Sequence, residues 1–331
     1  MTVAVRSFAK INLGLYIGAM RPDGFHDLRT VYQTIALHDV VRVSVARGTG
    51  IEIRCDDSRV PLDSSNTCYR IAERVMDALQ ASGRVTIEIE KDLPVQGGMG
   101  AASSNAVAAM FALERALKKR LPTAKKLQIA AAVGSDLPLF VIGGTVLGVG
   151  RGEEVYPLAD SPAVPMVVVM PEVGVSTPKA FTEWDARAGE DAGRSGGTSG
   201  LTPSRASDRL FEVGCALSAW LSGSTNLGAP ARAGGRAGNL LSDLVRAGIR
   251  NDFEQVVFSQ IPELLDMKRA LVRAGAKYAS LSGSGSTLYG LFGSASGATK
   301  AANRLKKQGL KAVATRTLTR REMNRSLVVG R

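Results

Sequence analysis

Residues 93–106, reading LPVQGGMGAASSNA, constrain this chain more than any other stretch. They join an alternating segment, Val85-Thr86-Ile87-Glu88-Ile89-Glu90, which reads as a strand, to an alanine-rich segment that reads as a helix from about Asn105 to Lys119. Few side chains crowd such a turn. Its backbone N–H groups can converge on one point, and the positive end of the helix dipole is directed there too. That combination holds a phosphate without a metal cage. The loop lacks the Lys-Ser/Thr ending of a Walker A loop, and its Gly98-x-Gly100-x-x-Ser103 spacing misses the dinucleotide fingerprint. It reads as a phosphate cradle of another kind. Two plainer explanations stay open from local sequence: a glycine-rich turn can serve tight geometry alone, and Ser103 and Ser104 can cap a helix.

A length of 331 residues exceeds one typical core, so two domains are expected. The segment between Pro162 and Pro165 marks a boundary, giving domains 1–161 and 162–331. The longest apolar run, residues 129–149, is broken by Asp136, Pro138 and several glycines, which argues against a membrane span. The chain opens on a strand pattern with no charged-then-apolar leader, so no signal peptide is expected. Three scattered cysteines, Cys55, Cys68 and Cys215, argue against a disulfide framework and for a reducing, cytoplasmic setting. With only His26 and His38, a histidine-built zinc site is nearly excluded.

The net charge of +12 admits nucleic acid, an anionic membrane surface or small polyanions as partners. The basic clusters, such as Lys118-Lys119-Arg120 and Lys306-Lys307, read as solvated helix faces. Aromatic content of 5% offers little for stacking bases of a single strand. Neither nucleic acid nor membrane is therefore the expected partner.

Alternation predicts strands over residues 3–16, 40–45, 51–55, 140–147, 154–157, 166–170, 278–281, 287–292 and 311–317. In the first strand, Val3, Val5, Ser7, Ala9, Ile11, Leu13 and Leu15 would share one face, and Arg6, Phe8, Lys10, Asn12 and Tyr16 the other. Helical periodicity predicts helices over residues 67–82, 123–134, 208–221, 253–274 and 297–307. Residues 186–207 and 222–238 are poor in apolar side chains and read as mobile loops. Strands and helices mixed with hairpins suggest α+β layers rather than a doubly wound sheet.

Several segments together resemble the GHMP kinase superfamily: Ser7-Phe8-Ala9-Lys10-Ile11-Asn12-Leu13, Arg21-Pro22-Asp23-Gly24-Phe25-His26, the glycine loop, and Gly134-Ser135-Asp136-Leu137-Pro138-Leu139-Phe140. Leu281-Ser282-Gly283-Ser284-Gly285-Ser286-Thr287 is similar to its C-terminal glycine motif. The resemblance implies a ribosomal-S5-like N-terminal domain, a ferredoxin-like C-terminal domain and a site between them. The phosphate loop departs from the pattern by carrying Gln96, Ala101 and Ala102 where glycines are usual. Those positions are accordingly expected at negative φ. Phe25 stands where tyrosine is common.

The resemblance also implies an activity: ATP-dependent phosphorylation of an alcohol, with magnesium accompanying the ATP. Pro94, Val95, Gln96, Gly97, Gly98, Met99, Gly100, Ala101, Ala102, Ser103 and Ser104 would hold the ATP phosphates, with Asn66 near the nucleotide and Ser104 close enough to touch the metal. Asp136 would be the general base and Lys10 its charged neighbour, steering the acceptor hydroxyl; locally, Asp136 equally suits a turn before Pro138, and Lys10 a solvated strand face. Asn12 and Thr177 would contact the acceptor. Phe25 would stack on a cytosine and His26 would hydrogen-bond its polar edge, so the acceptor would be a small cytidine diphosphate derivative of the non-mevalonate isoprenoid route. Other members of the superfamily, of homoserine or mevalonate type, and a non-catalytic S5-like nucleic-acid-binding protein are the alternatives. The metal ligands and the oligomeric state are left open by the sequence.

Overall fold

The computed structural model describes residues 2–194, 210, 214–215 and 249–330. Two sheets organise them. The first has six strands: β1 (Thr2–Met20), β2 (His26–Ala46), β3 (Ile51–Cys55), β4 (Arg84–Glu90), β5 (Thr145–Val149) and β6 (Glu154–Pro157). The long β2 pairs antiparallel with β1 along one edge. Its other edge pairs with β4 near its end and with β5 near its start. Helices α1 (Thr67–Ala78), α2 (Ala101–Ala116), α3 (Thr123–Val133) and α4 (Leu137–Ile142) follow in the same half, and all contribute to a core packed on this sheet.

Helices α5 (Thr177–Arg194), α6 (Phe253–Gln260), α7 (Pro262–Arg273) and α8 (Ala295–Lys307) accompany the second sheet, made of β7 (Pro165–Val169), β8 (Tyr278–Leu281), β9 (Leu288–Leu291) and β10 (Ala312–Arg316). Its order is β10-β7-β9-β8 and every pair is antiparallel. With α7 between β7 and β8 and α8 between β9 and β10, this is the ferredoxin-like arrangement. The resulting α+β fold agrees with the sequence reading. A third apolar cluster joins the two sheets: Ile11, Leu13, Val31 and Ile35 of the first meet Met166, Val168 and Tyr289 of the second.

Bulges decide what β1 presents. The register shifts between Phe8 and Lys10 and again between Asn12 and Gly14. At the first shift β2 carries two extra residues, and at the second β1 carries one. Val3, Val5 and Phe8 share one core, while Ala9, Ile11 and Leu13 enter the cluster between the sheets. The apolar side chains expected together over residues 3–15 are thus divided among three clusters, with Leu15 in the core of the second sheet.

Other local expectations change for identifiable reasons. Residues 140–142 are the end of α4, not a strand; Pro138 sits in its first turn, and Gly143 and Gly144, at φ +70 and +72, stop it. The helix expected over 253–274 is two helices, because Pro262 keeps Ile261, at φ −134 and ψ +80, out of the helical conformation. Helix α2 starts at Ala101 rather than near Asn105. Residues 186–194, expected as loop, continue α5: its first turns are anchored by buried Ala180 and Trp184, and extending an anchored helix costs little. The remainder of that segment, the segment 222–238 and most of the helix expected over 208–221 lie outside the described residues.

Residues 26–37 are strand, which alternation alone did not reveal. Thr30, Gln33 and Thr34 interrupt the apolar pattern yet are buried. Their polar groups are satisfied by Gly14 O, Leu318 O and the Gly144 N–H. Finally, α9 (Arg320–Ser326) brings the chain back to the first sheet, where Arg6 Nη1 donates to Ser326 O at 2.6 Å and Met323 and Leu327 join the first core. Among the described residues no helix is long and apolar enough to cross a membrane.

Candidate active site

The glycine loop sits where the two halves meet. Gly100 caps α2 in the left-handed conformation, and no side chain caps the helix start. The amides of its first turn are therefore open to an anion. Gly97 and Gly98 lie against the second glycine loop, residues 282–287. A Cβ on Gly98 would stand 2.1 Å from Ser282 O, and one on Gly285 2.4 Å from Gly98 N. Ser282 Oγ donates to Gly98 O and the Thr287 N–H to Gly97 O, so one loop clamps the other. Asn251 fixes the clamp in turn, donating from Nδ2 to Leu281 O and Gly283 O. Gln96, expected at negative φ, adopts φ +60. That strain costs about 1–2 kcal/mol and is held by the loops around it. Ala101 and Ala102 are helical, as their missing glycines require.

Two cavities open on this loop. One, of about 390 Å³, is lined by residues 94–103 and by Asn66. Arg59 and Lys91 add positive charge to it. Lys91 is fixed by buried Asp39 at 2.5 Å, and that carboxylate also accepts the Asp92 and Leu93 N–H groups, anchoring the entry to the loop. Asn66 is less available than its position suggests: its Oδ1 caps α1 through the Cys68 N–H, and its Nδ2 donates to Pro61 O. Ser104 is not brought to either cavity. It faces inward, donating to Phe8 O at 2.6 Å and accepting from Ser7 Oγ at 2.8 Å, which corrects its expected contact with nucleotide and metal. The early start of α2 gives that place to Ser103.

The other cavity, of about 740 Å³, is lined by Lys10, Asn12, Phe25, His26, Asp136 and Thr177 among others. All six positions expected at the acceptor thus meet in one hollow. Gly98, Gly100 and Ser103 line both cavities, so this wall separates a nucleotide-sized space from the charged pair.

Lys10 Nζ lies 3.4 Å from Asp136 Oδ2 and donates to Asn12 Oδ1 at 2.7 Å. Asn12 Nδ2 donates to Thr30 Oγ1, which donates to Gly14 O. Every partner of Lys10 is therefore itself held. Asp136 begins α4 but caps nothing, leaving its carboxylate for other work. Tyr32, which the sequence did not flag, donates its hydroxyl to Asp136 Oδ1 at 3.0 Å and lies beneath Lys10, 5.4 Å from ring centre to Nζ. Burial first, and then the Asp136 charge, push the Tyr32 phenol well above its usual 10.0, so it remains a donor.

At the far end, Phe25 is 51% exposed, with the Arg151 guanidinium 5.0 Å from its ring centre. His26 is buried, its ring stacked on Phe181 at 4.9 Å. Thr177 Oγ1 and Ser284 Oγ share a hydrogen bond at 2.7 Å, tying α5 to the second glycine loop.

A phosphate cradle whose wall opens onto a lysine–carboxylate pair and a roomy acceptor hollow is the equipment of an ATP-dependent small-molecule kinase. Residues 66–144 match the GHMP kinases N terminal domain, and residues 232–311 the GHMP kinases C terminal domain. A curated relative from Solibacter usitatus, a 4-diphosphocytidyl-2-C-methyl-D-erythritol kinase, is 39% identical over 87% of this chain and 80% of its own length. One of the same name from Moorella thermoacetica is 33% identical over 94% of this chain and 98% of its own. A solved structure of 4-(cytidine 5'-diphospho)-2C-methyl-D-erythritol kinase superposes with TM-score 0.70 at 26% identity, covering 95% of this chain and 98% of that one. A homoserine kinase from Cytophaga hutchinsonii shares the fold, with TM-score 0.69 at 21% identity. The chain belongs to the GHMP kinase superfamily, in the family of those two curated relatives.

Proposed function

We propose that the chain transfers the terminal phosphoryl group of ATP to the 2-hydroxyl of 4-diphosphocytidyl-2-C-methyl-D-erythritol, in the non-mevalonate route to isoprenoid precursors. The observation that carries this reading is the shared wall: Gly98, Gly100 and Ser103 face the nucleotide cavity on one side and the Lys10–Asp136 pair on the other. ATP would occupy the smaller cavity, with loop and α2 amides on its phosphates. The cytidylyl substrate would occupy the larger one, its base toward Phe25 and His26 and its alcohol toward Asp136.

Phosphoryl transfer asks the protein chiefly for alignment and charge stabilisation. Asp136, held by Tyr32 and Lys10, would orient the acceptor hydroxyl and take its proton from oxygen as the bond to phosphorus forms. Lys10 would stabilise charge on the transferred group, and the amides at the start of α2 would do so from the opposite side. Asn12 would keep the ammonium in place. Among the described residues no group of three or more His, Cys, Asp or Glu comes together. Ser103, on the wall between the cavities, is the residue that would stand beside a magnesium ion accompanying ATP. Such an ion would neutralise phosphate charge.

The test is phosphate transfer from radiolabelled ATP to a panel of alcohols: the cytidylyl compound, homoserine and mevalonate. Label on the cytidylyl compound alone is expected. Label on one of the others, or on none, would overturn the reading.

A further inference from the structure

The His26 ring is held from two directions. Phe181 covers one face, with the planes 11° from parallel, and Phe181 is itself braced by the edge of Phe253 at 4.9 Å. On its other side, Nε2 lies 2.8 Å from Asp185 Oδ1. Thr177, Phe181 and Asp185 recur every four residues on α5, so one helical face supplies all three to the acceptor cavity. The other ring nitrogen, Nδ1, has no hydrogen-bond partner among the described residues.

An ionised carboxylate only accepts hydrogen bonds. The contact with Asp185 therefore places a hydrogen on His26 Nε2, and a neutral ring then presents a bare lone pair at Nδ1. A lone pair on the cavity wall recognises a donor. Cytosine carries a donor at this edge, its 4-amino group, whereas uracil carries a carbonyl oxygen there. Two facing acceptors repel, and discrimination by an unpaired polar group is strong.

We propose that Asp185 is a specificity-determining positioning residue: by fixing the hydrogen on Nε2 of His26, it makes Nδ1 the acceptor that selects a 4-amino pyrimidine over a 4-oxo pyrimidine. This rests on the reading of a cytidylyl substrate given above. Asp185 acts through His26, the partner that its carboxylate holds.

The experiment measures kcat and KM on the full chain with the cytidylyl substrate and with the same compound carrying uracil. It uses the unaltered protein, Asp185→Ala, and Asp185→Glu as the conservative variant. In the unaltered protein the cytosine compound is preferred. In Asp185→Ala, KM for the cytosine compound rises about ten-fold, the size of one lost hydrogen bond. The KM for ATP and the kcat stay within about two-fold, and the preference for cytosine over uracil collapses. Asp185→Glu restores part of that preference. The unchanged ATP constant shows that the variants are folded; if Asp185→Ala does not fold, Asp185→Glu and a third variant, Asp185→Asn, carry the comparison. An equal loss for both bases with the preference intact would overturn the proposal, as would no change for either. Absence of any cytosine preference in the unaltered protein would instead sink the substrate reading itself.

Discussion

At the scale of residues, the account turns on Asp136. Its two oxygens are assigned to different partners, Tyr32 and Lys10, so its orientation is set before substrate arrives. Asp136→Asn keeps the shape and removes the base. Turnover should fall by about 10²–10⁴-fold while the ATP dissociation constant stays unchanged, measured by steady-state kinetics and calorimetry. Tyr32→Phe removes only the hydroxyl from a fully packed ring. It should lower kcat about ten-fold, near the worth of one hydrogen bond to a charged group, and leave both KM values within two-fold. A change confined to KM would show instead that Tyr32 shapes the cavity. His26→Ala should raise KM for the cytidylyl compound far more than for ATP; equal increases would undo its assignment to the base.

At the scale of elements, the two glycine loops form one unit. Gly98 combines φ +79 with Ser282 O at the place where a Cβ would go, so neither backbone nor space admits a side chain. Gly98→Ala should separate the loops, abolish detectable ATP binding and lower the melting temperature, read by calorimetry. Retained binding would show that the clamp is not needed. The elements also explain what the sequence revealed. The phosphate loop was legible because its glycines and serines cluster between a strand and a helix, where backbone amides can converge on an anion. Lys10 and Asn12 were legible as a pair because they stand two apart on a strand, and both bulges fall outside that pair. Tyr32, Thr30 and Gln33 were not, because buried polar groups satisfied across the fold leave no periodic trace. Asp185 and Asn251 act on partners 159 and 30 residues away. No local pattern encodes contacts at such separations.

At the scale of the molecule, β1 and α9, far apart in sequence, pack into the core of the first sheet together. Helix α9 carries a capping box, in which Thr319 accepts the Glu322 N–H and the Glu322 carboxylate accepts the Thr319 N–H. Burial raises the Glu322 pKa, but hydrogen bonds from Thr319 and Arg316 outweigh it and leave the carboxyl below its usual 4.5. A carboxyl depressed by folding adds stability that is present above its unfolded value and lost as pH falls through the folded one. Denaturant unfolding should therefore show Glu322→Gln less stable than the unaltered protein at pH 7. The gap should shrink as pH drops through the acidic range below about 4.5; a gap independent of pH would remove Glu322 as the acid-sensitive tie.

The central claim is spatial: nucleotide and alcohol meet across one wall of glycine and serine. A crystal structure with a non-hydrolysable ATP analogue and the cytidylyl substrate tests it directly. The terminal phosphate should lie against Gly98, Gly100 and Ser103, with the acceptor oxygen about 3–3.5 Å from its phosphorus and hydrogen-bonded to Asp136. Nucleotide bound outside the loop, or an alcohol beyond reach of Asp136, would contradict it.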